Sequence, residues 1–192
     1  MKIIQTVLDK NSCYIDAIPL EVKGLLLHSV GCPVSSAMRF VSTWNPPANR
    51  IVCVHAFIDA NDGAVYQTLP WDIQAKHSGG SANRTHIGVE MCEPECLKYI
   101  TNFTFECDDT ETAREQVRRV YDVAVELFAY LCQRFSLDPL GENVIISHSE
   151  AYYKGMGSAH FDPEHLWNGL GMEYTMDGFR RDVERALKKS SM

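Results

Sequence analysis

Apolar and polar positions along the chain alternate in short blocks, and each block predicts an element. Residues 22–27 (VKGLLL) form an apolar run that reads as a buried strand ending at His28. Ala37, Met38, Phe40, Val41 and Trp44 recur at roughly helical spacing within 35–44. Asn45, Pro46 and Pro47 stop that helix, because proline lacks the amide proton a helix interior needs. Residues 51–58 (IVCVHAFI) and 64–69 (AVYQTL) flank a polar stretch ending in Gly63, a hairpin signal in which glycine supplies the positive φ of the turn. Residues 86–91 (HIGVEM) predict another strand, apolar apart from His86 and Glu90.

The clearest helix covers 111–135. Ala113, Val117, Val120, Tyr121, Ala124, Leu127, Phe128, Leu131 and Phe135 form one stripe, and Asp108 with Glu111 has the spacing of a capping box. Residues 143–147 (NVIIS) predict a strand ending at His148. Pro163 opens a short helix over 163–168, for which Asp162 is a natural N-cap. Phe179, Val183, Ala186 and Leu187 mark a last amphipathic helix over 177–189. The order β–α–β–β–β–α–β–loop–α predicts an α/β domain: a central mixed sheet flanked by helices. Residues 1–175 are expected to form the domain, with 176–192 as a helix packed on it or trailing from it.

Composition narrows the class. A chain of 192 residues with 45% hydrophobic content can bury a core as one domain. No apolar run approaches the ~20 residues of a membrane span, so membrane insertion is not expected. The start, MKIIQTVLDKNSCY, lacks the apolar core and cleavage site of a signal peptide, which predicts cytoplasmic synthesis. A formal net charge of −7 argues against a nucleic-acid partner. The seven cysteines are irregularly spaced and do not read as a disulfide framework; most are expected to be small buried hydrophobes. Cys92 and Cys96 are spaced like half a zinc knuckle, but no second half follows.

No HExxH or CxxC motif is present, so a metal site would have to be assembled from distant segments. His28 and His148 both sit at strand ends, where α/β folds commonly build sites. Each is either a hydrogen-bonded strand-end histidine or a ligand. Asp162 is a helix cap, a ligand, or both at once through different oxygens. Together, two imidazoles and a carboxylate match a catalytic zinc site with one open position. Glu90, inside an apolar strand, is either solvent-facing, ion-paired or a buried general base. His160 is either a loop histidine or a donor to a developing oxyanion. His55 reads as a core residue or as support for the site. His77 precedes a Gly-rich turn and is placed to line a cleft. His86 and His165 read as structural or surface residues.

The motifs GLLLHSVG, VHAFIDANDGAVYQTLP, AKHSGG, HIGVEM, and ISHSE followed by AHFDPEHLW occur in that order from about residue 20 to about residue 170. This pattern resembles the zinc-dependent N-acetylmuramoyl-L-alanine amidases of the type 2 family, which are related to peptidoglycan recognition proteins and many phage endolysins. The resemblance implies Zn2+ held by His28, His148 and Asp162 in a surface cleft. It implies Glu90 as the acid/base, His160 where many members carry a transition-state lysine, and His77 beside the substrate. His160 lies close enough to Asp162 in sequence to be an alternative third ligand. Val54 stands where several relatives place a tyrosine, and the loop 152–159 is longer than in compact relatives. The implied reaction is hydrolysis of the amide between N-acetylmuramic acid and L-alanine in bacterial peptidoglycan. The implied setting is an endolysin, made in the cytoplasm and acting at the wall after release. The rival is a peptidoglycan-binding module that does not cut.

Overall fold

Strands covered on both faces carry near-continuous apolar runs, and Gly24–Ser29 is one of them, buried along its whole length. In a computed structural model, which describes residues 1–45 and 52–190, the elements in chain order are β1 (Ile3–Gln5), α1 (Ser12–Asp16), β2 (Gly24–Ser29), α2 (Ala37–Trp44), β3 (Ala56–Ile58), β4 (Val65–Gln67), a 3-10 turn (Ser81–Arg84), β5 (His86–Met91), β6 (Leu97–Tyr99), β7 (Phe105–Cys107), α3 (Thr110–Phe135), β8 (Ile145–Ser147), α4 (His148–Tyr153), α5 (Glu164–Gly169) and α6 (Met176–Ser190).

Six strands form one mixed sheet in the order β1-β4-β3-β5-β2-β8, and β6 and β7 form a separate hairpin. Within the large sheet only the β3–β4 pair is antiparallel. Strands β3, β5, β2 and β8 run parallel, so their C-terminal ends share one edge. Gly63 makes the β3–β4 turn with φ 73°. Asp59 tightens that turn by accepting from the Asn61 amide at 2.9 Å. Its other oxygen accepts from the Ala37 amide at 2.8 Å, capping α2 where Ser36 makes no side-chain cap.

Strand alternation splits the sheet into two faces. Leu25 and Leu27 of β2 and Ile87, Val89 and Met91 of β5 join the main core with Val117, Val120, Ala124 and Leu127 of α3. Leu26 and Ile146 face the other way, against Ala82 and Ala151. Helix α6 packs on α3, with the Phe179 and Phe128 rings 5.2 Å apart. Arg180 ties α6 to the sheet, donating to the Ile145 carbonyl and to both Glu150 oxygens. Phe179 is fully buried, so Phe179→Ala is expected to destabilise the fold by about 3–5 kcal/mol, read as a lower urea midpoint.

Several local expectations change. The 51–58 strand shortens to β3, and Ile51 lies outside the described residues, as do Pro46 and Pro47. The cap of α3 is Asp109, which accepts from the Thr112 amide at 3.1 Å. The helix starts at Thr110, so Asp108 is one position too early; it pairs with Lys98 instead. A capping box does occur, but at α4, between Ser147 and Glu150. Elements β1, α1, β6, β7 and α4 have no counterpart in the sequence reading. Among the described residues no helix is long and apolar enough to cross a membrane.

Candidate metal centre

Strand β2 carries His28 on the same face as Leu26, and its register partner on β5 is Glu90. His148 follows β8 directly as the first residue of α4. Both histidines therefore emerge at the shared strand edge. Asp162 arrives from the loop after α4, whose backbone is held when the Ser149 amide donates to the Asp162 carbonyl at 3.2 Å. The N-cap of α5 is Pro163, so the Asp162 side chain does not cap that helix. It turns inward, and its Oδ2 accepts from the Ser29 amide at 3.3 Å. His28, His148 and Asp162 are all buried. Their ligand atoms lie within 4.8 Å of one another, the one such cluster among the described residues.

Hydrogen bonding determines which ring nitrogens are bare. His77 Nε2 lies 3.1 Å from the His86 carbonyl, which can only accept. Neutral His77 therefore donates there and leaves Nδ1 as an acceptor. Burial, followed by the neighbouring His28 and His55, holds His77 well below the usual histidine range, so it is neutral. His28 Nε2, 2.9 Å away, then donates to His77 Nδ1. Burial pulls His28 down to about 4, so its other nitrogen, Nδ1, carries a lone pair near neutrality. That lone pair faces Asp162 Oδ2 at 3.1 Å. His148 repeats the arrangement. Its Nε2 lies 3.1 Å from the Ser78 carbonyl, and its Nδ1 faces Asp162 Oδ1 at 3.4 Å.

Burial favours a protonated Asp162; hydrogen bonds and positive charge from His148 and His28 outweigh it and hold the carboxyl well below the ordinary range, so the anion persists with a proton or another cation beside it. An anion thus sits between two imidazole nitrogens. Where the carboxylate meets two bare Nδ1 atoms, these are three acceptors without a donor between them, an arrangement that a bound cation or an added proton relieves. The donor set, two nitrogens and a carboxylate, is one zinc accepts. The site fits the metal by its chemistry as well as by its spacing.

Gly88 makes room for this chain of histidines. A Cβ there would lie 2.5 Å from His77 Nδ1, so only glycine lets His77 lie over β5. His55, below it, accepts from the Gly88 amide at 3.0 Å and contacts the Ile73 carbonyl at 2.9 Å. It is a buried core residue that supports His77. His86 is also structural, bridging to the Asn143 carbonyl at 2.9 Å.

Glu90 has one carboxylate oxygen, Oε2, buried without a hydrogen-bond partner. Burial, then the charges of Asp162 and Glu93, push its pKa well above the ordinary value. His160 is exposed and stacks on His148 with ring centroids 4.3 Å apart. Its Nδ1 meets Ser158 Oγ at 3.1 Å. Both residues line the same cavity as His28, His77, His148 and Asp162. This cavity is about 780 Å³ and is walled further out by Trp44, Val54, Phe103 and Phe161.

One buried carboxylate escapes the sequence reading. Glu93 accepts from the Gly31 amide at 2.9 Å and from the Tyr99 hydroxyl at 2.5 Å. Tyr99 also meets His165 Nε2 at 2.8 Å, so His165 belongs to a buried network beside the cavity. No spacing signal marks Glu93, because its partners come from β6 and from the loop after β2. Burial pushes its pKa from 4.5 up to about 7. The folded state therefore holds this proton longer than the unfolded chain. Stability from this group is expected to fall as pH rises from about 4.5 to about 7 and then level off. Glu93→Gln should flatten that slope in urea titrations across the window.

A family model described as N-acetylmuramoyl-L-alanine amidase matches residues 19–165. No curated protein matches the sequence. Among solved structures, the fold is similar to the Staphylococcus aureus hydrolase AmiA in complex with its ligand, with TM-score 0.70 and 17% identity over 99% of this chain and 84% of that one. A mutant endolysin from Bacillus subtilis gives 0.64 and 19% over 95% and 99%. The PlyG catalytic domain gives 0.66 and 17% over 97% and 96%. At these identities the likeness speaks for the fold.

Proposed function

The chain belongs to the N-acetylmuramoyl-L-alanine amidase family, and on that premise we propose that it is a zinc-dependent hydrolase of the bond between N-acetylmuramic acid and L-alanine in bacterial peptidoglycan. The observation that carries the metal dependence is the convergence of His28 Nδ1, His148 Nδ1 and the Asp162 carboxylate. Zinc held by these three would supply Lewis acidity to a water and to the scissile carbonyl.

The chain's own residues do the rest. Glu90, with its proton affinity raised by burial, takes the proton of the attacking water and returns it to the departing alanine nitrogen. His160 donates to the carbonyl oxygen as negative charge grows there. His77 and the Ser78 carbonyl hold His28 and His148 in the tautomers that leave Nδ1 free. Phe103 and Phe161 give the cavity an apolar wall for the substrate to lie against.

An endolysin role, with synthesis in the cytoplasm and action at the wall after release, accords with a family whose fold this chain shares with an endolysin. The test is incubation of zinc-loaded protein with purified walls, following turbidity and newly exposed alanine amino groups. Cleavage that a chelator stops and zinc restores is the expected result. Wall binding and bound zinc without new amino groups would instead make the chain a recognition module.

A further inference from the structure

The β6–β7 hairpin brings together two thiols that sequence spacing does not pair. Cys107 ends β7 opposite Leu97, and Cys96 immediately precedes Leu97. The two Sγ atoms lie 3.7 Å apart. Both side chains are half-buried, whereas Cys13, Cys53, Cys92 and Cys132 are buried. Cys96 Sγ also lies 3.5 Å from the carbonyl of Asp109, the cap residue of α3. The pair thus occupies the joint between the hairpin and the longest helix.

We propose that Cys96 and Cys107 are an oxidation site that closes to a reversible disulfide, with a small-molecule disulfide as oxidant. A disulfide needs its sulfurs about 2.05 Å apart, so closure draws them together from 3.7 Å. One thiol loses its proton, and the thiolate attacks a sulfur of the oxidant, releasing one thiol. The second protein thiol also loses its proton and displaces the remaining half as another thiol. Two protein S–H bonds and the oxidant's S–S bond are exchanged for one protein S–S bond and two small thiols. The electron pair ends on the oxidant.

The consequence lies in the cavity wall. The hairpin carries Asn102 and Phe103 into the lining of the cavity. Phe103 packs on Phe161, with centroids 5.1 Å apart, next to the ligand candidate Asp162. A two-stranded hairpin is at best marginally stable in isolation. This one is held to the site by the Tyr99 hydroxyl on Glu93 and His165. A bond across its base ties β6 to β7 beneath this wall and closes when the chain passes from a reducing to an oxidising compartment. The inference rests on the thiol geometry and does not require the proposed reaction.

The experiment exposes the full chain to oxidised glutathione, blocks remaining thiols by alkylation and maps tryptic peptides. Trypsin cuts after Lys98, so the bond would join peptides 85–98 and 99–114. The joined pair is expected in the wild type and in Cys92→Ser, which removes the other cysteine of the first peptide. It should be absent from Cys96→Ser and Cys107→Ser and should vanish on reduction. Amide exchange across 97–107 should slow about tenfold in the oxidised protein. Recovery of Cys96 and Cys107 only as separately alkylated or glutathionylated peptides overturns the pairing. So does a joined pair that survives Cys96→Ser. Unchanged exchange in a cross-linked protein overturns the effect on the hairpin beneath the wall.

Discussion

Asp162→Ala is expected to leave a folded protein that no longer retains zinc. The carboxylate stands between His28 Nδ1 and His148 Nδ1, at 3.1 and 3.4 Å. Its removal leaves two imidazole nitrogens, too few donors for a tetrahedral zinc with one open position. Losing an outer partner of a metal ligand already costs about 10–100-fold in affinity, so loss of the carboxylate itself should exceed that. Metal analysis after dialysis is the direct measurement. Thermal unfolding is an independent one: zinc at about 1,000 times its Kd should stabilise the wild type by about 4 kcal/mol, and the variant should not respond. His160→Ala should keep its zinc and lose rate. The reverse pattern, zinc kept without Asp162 and lost without His160, would move the third ligand to His160.

Glu90→Gln is expected to lower kcat by about 10²–10⁴-fold while zinc content and wall binding stay unchanged. The substitution preserves shape and removes the basic oxygen. In the wild type, Oε2 is buried with no partner, and burial raises its affinity for a proton. A group in that state is poised to accept a proton from water and to give it up again. The acidic limb of the rate–pH profile should belong to this carboxyl, since the base is lost as pH falls through its raised pKa. The limb should disappear in the residual activity of the variant. A rate within about twofold of wild type would exclude Glu90 as the base. Glu93, the next buried carboxylate, would then be the group to replace.

Much of the scaffold is legible from local pattern. The runs at β2 and β5 and the stripes of α3 and α6 repeat often enough to show their period. Elements of three residues, such as β1, β6 and β7, contain too few positions to show one. The α3 cap went to Asp109 rather than Asp108 because a cap depends on the residue at which helical dihedrals begin, which spacing resolves only to within a position or so.

The candidate ligands show the same division. Sequence alone determined which residue types were available and, through the motifs, that His28, His148 and Asp162 belonged together. Only the tertiary structure decided what Asp162 does. As a local residue before proline it reads as a cap, yet its carboxylate reaches His28 across 134 residues of chain. The order of parallel strands brings the two together, and strand order is a property of long-range packing. The same holds for the bare Nδ1 atoms. They follow from the His86 and Ser78 carbonyls, which hold the opposite ring nitrogens of His77 and His148. It holds too for Cys96 and Cys107, whose irregular spacing became a pair only when the hairpin placed Cys96, one position before the register partner of Cys107, with its sulfur 3.7 Å from that of Cys107. A sequence states which chemistry is present; hydrogen-bond partners and strand neighbours decide which atoms are left free to perform it.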